Sequence, residues 1–167
     1  LKINKKKINY SKIHAISLFS GAGGLDLSSV LSGVKVLSSL DFDQDSIRTI
    51  KQNTIFKDGD HFCTDIRDFD LKKYNHILKK NKTEKLILIG GPPCQPFSKA
   101  GYWITHKNIL GKKDPRNMIS EFLNAIKVIQ PDGFIIENVE SILHPKNLIV
   151  VKEIEEFIYK NNYDLIR

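Results

Sequence analysis

The sequence is poor in cysteine and has no long hydrophobic run, and each absence excludes a class of protein. Two cysteines are too few for a disulfide scaffold, and Cys63 and Cys94 lack the paired spacing of a structural zinc site. No apolar run approaches the roughly 18 residues that a transmembrane helix needs. The N-terminal residues are rich in lysine and lack the apolar stretch of a secretory signal. We therefore expect a cytoplasmic protein without a metal site.

Internal repeats, low-complexity segments and Gly/Ser-rich linkers are also absent from the sequence. The length of 167 residues suits a single domain, because domains usually contain roughly 100–200 residues. Hydrophobic residues make up 41% and charged residues 27% of the chain, which is the balance of a globular protein rather than a disordered one.

Positive charge is in surplus. Lys and Arg total 26 against 19 for Asp and Glu, a net charge of +7. Such a surplus attracts polyanions, and nucleic acid is the leading candidate. The lysines concentrate in residues 2–12 and 72–85. An ordinary solvated surface explains these two clusters equally well, so charge alone leaves both interpretations open.

Short apolar runs alternate with helical patterns along the chain. The predicted strands are His14–Ser20, Lys35–Asp41, Asp60–Ile66, Lys85–Gly90 and Gly133–Val139. The predicted helices include Gln44–Asn53, Met118–Ile129 and Leu148–Tyr159. This alternation predicts an α/β fold with a Rossmann-like, mostly parallel sheet and helices on both faces. Ligands of such sheets bind at the carboxyl ends of the strands, so the residues that follow each strand are the candidates for function.

The first three strands end in residues suited to a nucleoside. The first runs into the glycine loop Phe19-Ser-Gly-Ala-Gly-Gly24, which lets the backbone approach a ligand closely or simply makes a tight turn. Asp41 ends the second strand, where a carboxylate suits the hydroxyls of a ribose. After the third strand, Asp65 is placed to accept from an exocyclic amine and Ile66 to pack on a ring.

The fourth and fifth strands end in residues suited to covalent chemistry. Cys94 follows the fourth strand among three prolines, and this rigid, polar setting favours a presented nucleophile. For Cys63, by contrast, we expect a small buried side chain. Glu137 follows an apolar run in the fifth strand, where partial burial would let it carry a proton near neutral pH. An ordinary solvated carboxylate is the alternative for Glu137.

Taken together, these residues resemble the cytosine-5 DNA methyltransferase family. The matching pieces occur in the family's order, and they are Phe19-x-Gly21-x-Gly23-Gly24, Asp41, Asp65-Ile66, Gly91-Pro-Pro-Cys-Gln-Pro-Phe-Ser98, Asp114-Pro-Arg-Asn117 and Glu137-Asn-Val139. The resemblance implies the S-adenosylmethionine-dependent methyltransferase fold. It also implies methyl transfer from S-adenosyl-L-methionine to carbon 5 of a cytosine flipped out of double-stranded DNA, within a restriction-modification system.

The resemblance assigns roles by matching position. Cys94 would add to carbon 6 of the cytosine as the nucleophile, and Glu137 would hydrogen-bond or protonate ring N3. The methyl donor would be bound by Phe19, Gly21, Gly23, Asp41, Phe42, Asp65, Ile66, Pro92, Asn117 and Ile119. The substrate would be contacted by Pro93, Gln95, Ser98 and Asn138. Lysines of the 99–113 loop would lie over the DNA.

Three parts of the family pattern are not found in residues 1–167: a Gln-x-Arg-x-Arg segment, a target-recognition domain and a final helical segment. We therefore predict that residues 1–167 are the N-terminal catalytic and donor-binding portion, with a fold that is incomplete at the C-terminus. The chain is then a fragment or one subunit of a split enzyme, and it is inactive alone. Two alternatives remain: a tRNA cytosine-5 methyltransferase, and a non-catalytic subunit that binds donor or DNA.

Overall fold

The computed structural model describes residues 12–74, 84–93, 118–145 and 148–166. The strands are β1 (Ile13–Leu18), β2 (Lys35–Asp41), β3 (Asp60–Cys63), β4 (Lys85–Gly90) and β5 (Gly133–Ile136). The α-helices are α1 (Gly24–Leu31), α2 (Gln44–Gln52), α3 (Met118–Ile129) and α4 (Leu148–Lys160). Short 3-10 turns cover Thr54–Phe56, Ile66–Asp68, Leu71–Tyr74 and Glu140–Leu143.

The five strands form one parallel sheet in the order β3-β2-β1-β4-β5. Leu18, at the end of β1, pairs with Leu40 of β2 on one side and Gly90 of β4 on the other. Gly90 in turn pairs with Ile136 at the end of β5. Because these pairs are level, the carboxyl ends of four strands meet along one edge of the sheet. The predicted α/β fold is confirmed.

Apolar side chains alternate between the two faces of the sheet, so each face has its own core. On one face Ala15 and Ile89 pack with Val30 of α1 and Ile50 of α2. On the other face Ile16, Leu18 and Leu88 pack with residues of α3 and α4, which include Phe122, Ile126 and Val150. Strands buried on both faces must be apolar at nearly every position, which explains the continuous runs in the sequence.

Three strands end earlier than the sequence predicts, and each ends for a local reason. The strand predicted to reach Ser20 stops at Leu18, because Phe19 takes a left-handed conformation with φ 54°. The third strand stops at Cys63, and the Asp65 side chain instead caps the 3-10 turn that follows. The fifth strand stops at Ile136. Each early end frees backbone at the functional edge of the sheet.

Helices α2, α3 and α4 follow their predicted bounds closely, whereas α1 was not predicted. Helix α2 starts where the Asp43 carboxylate accepts a hydrogen bond from the backbone N–H of Ser46 at 2.8 Å. Hydrogen bonds from Ser46, first from its side chain and then from its backbone N–H, lower the pKa of Asp43. Helix α2 then buries Ile47 and Ile50 against the sheet. In the part of the chain that the structure describes, no helix is long and apolar enough to cross a membrane.

Candidate donor and catalytic site

Asp41 is the anchor of the functional edge. Its carboxylate is nearly buried, with 9% exposed, and it accepts two backbone hydrogen bonds. Oδ2 accepts from the N–H of Gly21 at 2.8 Å, and Oδ1 accepts from the N–H of Asp43 at 2.9 Å. Asp41 therefore fixes the glycine loop after β1 relative to the end of β2. Each carboxylate oxygen can accept more than one hydrogen bond, so Asp41 keeps acceptor capacity for a further donor.

The glycine loop, residues 19–24, turns tightly at this edge. Phe19 (φ 54°), Gly21 (φ 50°) and Gly23 (φ 89°) all have left-handed backbone conformations. A Cβ atom on Gly23 would lie 3.1 Å from both Ile50 and Phe56, so this position lacks room for a side chain as well as favouring glycine. The two glycines therefore shape the loop, and neither contacts the cavity described next.

A cavity of about 360 Å³ opens beside Asp41, and its volume lies within the roughly 300–1,000 Å³ usual for small-molecule sites. Residues from the ends of β1, β2, β3 and β4 and the start of α3 line it: Phe19, Leu40, Asp41, Phe42, Thr64, Asp65, Ile66, Arg67, Pro93 and Met118. The Phe42 side chain is 73% exposed, so its ring is available to stack on a planar ligand. The cavity brings together five of the predicted donor-binding residues, and predicted substrate contact Pro93 joins them.

Arg67 forms a salt bridge with the carboxylate of Asp65. The Arg67 side chain donates to Oδ1 from Nε at 2.9 Å and to Oδ2 from a terminal nitrogen at 2.5 Å, and its backbone N–H also donates to Oδ1. These hydrogen bonds to the Arg67 guanidinium lower the pKa of Asp65. Oδ1 has two donors and Oδ2 one, so Oδ2 retains room for a further donor.

Besides Gly21 and Gly23, two further predicted donor-binding residues do not line the cavity. Ile119 is 1% exposed and belongs to the core of the sheet, and Met118 is the residue at the start of α3 that lines the cavity. Pro92 does not line the cavity, and its carbonyl instead accepts a hydrogen bond from Asn138. Sequence reasoning missed Met118, Arg67 and Thr64. The last two flank Asp65-Ile66 in the sequence, which is the signal that could have found them.

The exits of β4 and β5 are joined by close contacts. The backbone N–H of Glu137 donates to Gly90 O at 2.9 Å. The side-chain amide of Asn138 donates to Pro92 O at 2.9 Å, and its oxygen accepts from the N–H of Val139. A Cβ atom on Gly91 would lie 2.9 Å from the Glu137 carboxylate. Glu137 therefore lies directly against the segment that leads to Cys94.

Two expectations about burial are wrong. Glu137 is exposed rather than partly buried, because β5 ends one residue earlier and Glu137 follows it at the open edge of the sheet. Cys63 is also exposed rather than a buried apolar side chain. Its thiol lies 3.6 Å from the carbonyl oxygen of Phe42. Cys63 ends the edge strand β3, where one side of the strand has no neighbouring strand in the described sheet.

Several predicted residues lie outside the described residues. They are Cys94, Gln95, Ser98, Asn117 and the lysines of the 99–113 loop. The roles predicted for them stay predictions.

A similar fold occurs in solved methyltransferase structures. A candidate DNA modification methyltransferase encoded within an Escherichia coli prophage superposes with a TM-score of 0.67 and 28% identity, over 89% of this chain and 38% of that one. The parallel sheet with its cavity at the carboxyl edge is thus the fold of S-adenosylmethionine-dependent methyltransferases. The model of the C-5 cytosine-specific DNA methylase family matches residues 13–167, and the chain belongs to this family.

The chain is also similar in sequence to type II methyltransferases. The type II methyltransferase M.FnuDI of Fusobacterium nucleatum is 32% identical over 90% of this chain, and M.SacI of Streptomyces achromogenes is 30% identical over 80%. The matched regions cover 39% and 36% of those two proteins. The chain therefore spans less than half the length of these relatives.

Proposed function

We propose that this chain is the donor-binding and catalytic part of a DNA (cytosine-5-)-methyltransferase of a restriction-modification system, acting in the cytoplasm. One observation carries the proposal: a nucleoside-sized cavity and Glu137 lie along the same sheet edge, on either side of the segment that leads to Cys94. The type II methyltransferase relatives support DNA as the substrate.

The cavity fits S-adenosyl-L-methionine, which supplies an electrophilic methyl group when bound. Asp41 would accept from the ribose hydroxyls, Phe42 would stack on the adenine, and Asp65 Oδ2 would accept from the exocyclic amine. Phe19 would cover the methionine side, while Gly21 and Gly23 shape the loop beneath it. An acidic, aromatic-lined cavity also suits a positively charged sulfonium better than a phosphate.

The residues at the exits of β4 and β5 would activate the cytosine. The Cys94 thiolate adds to carbon 6, which makes carbon 5 nucleophilic, and Glu137 hydrogen-bonds to ring N3 as charge develops there. Carbon 5 then gains the methyl group as the sulfur–methyl bond of the donor breaks, and the sulfur keeps that electron pair to give S-adenosylhomocysteine. Loss of the proton on carbon 5 and breakage of the Cys94 sulfur–carbon bond release 5-methylcytosine and the free thiolate. The base must leave the helix for this chemistry.

A trapping experiment tests the role of Cys94. DNA that carries 5-fluorocytosine has no proton to lose at carbon 5, so the complete enzyme is expected to form a stable covalent adduct with it. The Cys94→Ser variant is expected to bind the same DNA without an adduct, while Cys63→Ser serves as the matched control and keeps it. Absence of an adduct in the wild-type enzyme, with DNA bound, overturns the proposal. A parallel assay with tRNA distinguishes the tRNA methyltransferase alternative.

We also propose that a polypeptide segment carrying the target-recognition domain packs in a groove beside β5, whether it belongs to this chain or to a second one. The β5 groove has a volume of about 790 Å³ and is lined mainly by β5, the turn after it and α4. Its exposed hydrophobic residues are Ile135, Val139, Leu143, Leu165 and Ile166. Contiguous exposed apolar surface of this kind marks a protein interface, and an edge strand accepts another strand readily.

Residues 1–167 alone are expected to transfer no methyl group, because this segment also supplies the contacts that recognise DNA. Incubation with duplex DNA and labelled donor checks this. Efficient transfer by residues 1–167 would show that no further segment is needed.

A further inference from the structure

A buried carboxylate lies beneath the glycine loop. Asp26, on α1, has none of its surface exposed, and neither do Ser17 of β1 and Ser39 of β2. The hydroxyl of Ser17 donates to Asp26 Oδ1, and the hydroxyl of Ser39 donates to Oδ2 at 2.6 Å. The two serines face each other in the register of the paired strands. One side chain therefore ties a helix to two neighbouring strands.

Burying the Asp26 carboxylate costs free energy, so this arrangement is a poor way to stabilise the fold. Burial raises the pKa of Asp26, and the hydrogen bonds from Ser17 and Ser39 offset that shift only in part. Buried polar groups are often replaced by apolar ones of similar size with no loss of stability. A fully satisfied buried network does, however, fix one arrangement of the groups it joins.

The backbone conformation of the glycine loop has to be held in place by surrounding contacts. Phe19 has a left-handed backbone, with φ 54°, a conformation that is strained for a residue other than glycine. Strained conformations persist only where the surrounding structure holds them. At the carboxyl edge of the sheet, the hydrogen bond from the N–H of Gly21 to Asp41 restrains the loop. On the side of α1, Asp26 accepts hydrogen bonds from Ser17 and Ser39. Ser17 lies two residues before Phe19, and Ser39 lies two residues before Asp41.

We infer that Asp26 is a positioning residue, which holds the glycine loop and Asp41 in the arrangement that forms the donor cavity. Asp26 does not line that cavity, so it acts through Phe19 and Asp41. The consequence for the donor depends on the proposed function, whereas the consequence for the loop does not.

Two substitutions separate positioning from bulk stability. In Asp26→Asn the amide accepts from one serine and donates to the other, so the link is kept. In Asp26→Leu the volume is kept and the link is lost. Asp45→Asn, on the exposed surface of α2, is the matched control for loss of a carboxylate. If Asp26→Leu fails to fold, the double variant Ser17→Ala/Ser39→Ala removes the same two hydrogen bonds with smaller changes.

The first readout is hydrogen exchange of the Gly21 and Gly23 amides, which donate to Asp41 and to Ser20 O. Protection of both is expected to fall in Asp26→Leu and to persist in Asp26→Asn and Asp45→Asn. Amides in the centre of β4 serve as the internal reference for global stability. Unchanged protection of Gly21 and Gly23 in Asp26→Leu overturns the inference, whatever the chain binds.

The second readout is calorimetric titration with S-adenosylhomocysteine, in which the stoichiometry reports the folded fraction. If the competent loop falls to about a tenth of the population, the Kd rises about tenfold. That rise is expected for Asp26→Leu and not for Asp26→Asn. An equal Kd in Asp26→Leu and wild type overturns the positioning role. Failure of wild type to bind overturns the proposed donor site in this chain, and leaves the exchange experiment to decide the role of Asp26.

Discussion

The absence of a side chain at Gly91 leaves room for the carboxylate of Glu137. A Cβ atom there would lie 2.9 Å from the carboxylate oxygen of Glu137. The nearest obstacle is the far end of a flexible side chain, so an added methyl group moves the carboxylate rather than the backbone. The position therefore limits where Glu137 can be, and has little influence on whether the chain folds.

Gly91→Ala is expected to reduce methyl transfer by the complete enzyme by about 100-fold, because a shift of about 1 Å in a catalytic group can cost that much. The melting temperature should change little. Rates and thermal melts of the variant check both statements. Gly24→Ala, where a Cβ atom meets nothing within 4 Å, is the matched control for the thermal melts and should leave the melting temperature unchanged. A fully active Gly91→Ala enzyme would remove Glu137 from the mechanism or show that its position is not critical.

At the scale of residues, sequence predicts the side chains that follow strands directly. Asp41 and Asp65 were identified because each follows or ends a strand, and Phe42 was identified from the family resemblance. All three line the cavity. Arg67 and Met118 were not identified, because their contribution depends on how a turn and a helix approach that edge. Asp26 was missed for a similar reason: only the packing of α1 on the sheet brings it between Ser17 and Ser39.

At the scale of elements, the link from α1 to β1 and β2 makes stability depend on pH. Burial raises the pKa of Asp26 above its ordinary value of 3.8, and its ionisable neighbour His61 opposes that shift. The folded state therefore holds this proton more tightly than the unfolded chain does. The contribution of protonated Asp26 to the free energy of unfolding is full below pH 3.8, and it is lost as pH rises through the folded-state pKa.

Urea unfolding of wild type and Asp26→Asn across a range of pH checks this prediction. The free energy of unfolding of the variant, relative to wild type, should increase as pH rises from 3.8, because the amide does not titrate. The same series with Asp45→Asn corrects for the loss of a surface carboxylate. A constant difference between Asp26→Asn and wild type across the range would mean that Asp26 has the same pKa in both states.

Element bounds were predicted best for strands and helices whose apolar residues lie in the core. The bounds of β2, β4 and α3 agree with the sequence prediction. The ends of β1, β3 and β5 do not, since an apolar residue lies shortly beyond each of these strands, at Phe19, Ile66 and Val139. At Phe19 the strand ends in a left-handed conformation, with φ 54°, which is uncommon for a residue other than glycine. The errors thus fall at the functional edge, where structure departs from local preference.

At the scale of the whole molecule, the β5 groove should govern how the chain behaves in isolation. Ile135 is 49% exposed within it, and edge strands with apolar surface pair with other chains. We expect residues 1–167 to self-associate as concentration rises, and Ile135→Lys to weaken this without unfolding the chain. Sedimentation velocity at several concentrations measures the effect.

Tyr159→Lys is the control for this experiment, since Tyr159 is 86% exposed and lies outside the groove. If Tyr159→Lys weakens self-association as much as Ile135→Lys does, added charge rather than the groove is responsible. The β5 groove is assembled from β5, the turn after it, α4 and the residues that follow α4. These segments are separate in the sequence, so the sequence pattern alone does not reveal the groove.

The order of the strands also determines when each part of the molecule can form during synthesis. β1 precedes the other four described strands in the sequence yet occupies the centre of the sheet, and its second neighbour, β4, begins only at Lys85. The unit from β1 to β3 can pair early, so Asp41 and Asp65 meet the glycine loop before the segment with Cys94 leaves the ribosome. Until then one side of β1 has no partner, and such distant parallel pairing is intrinsically slow. In the interval between β3 and β4 the nascent chain therefore exposes an unpaired side of β1, the kind of edge that promotes aggregation.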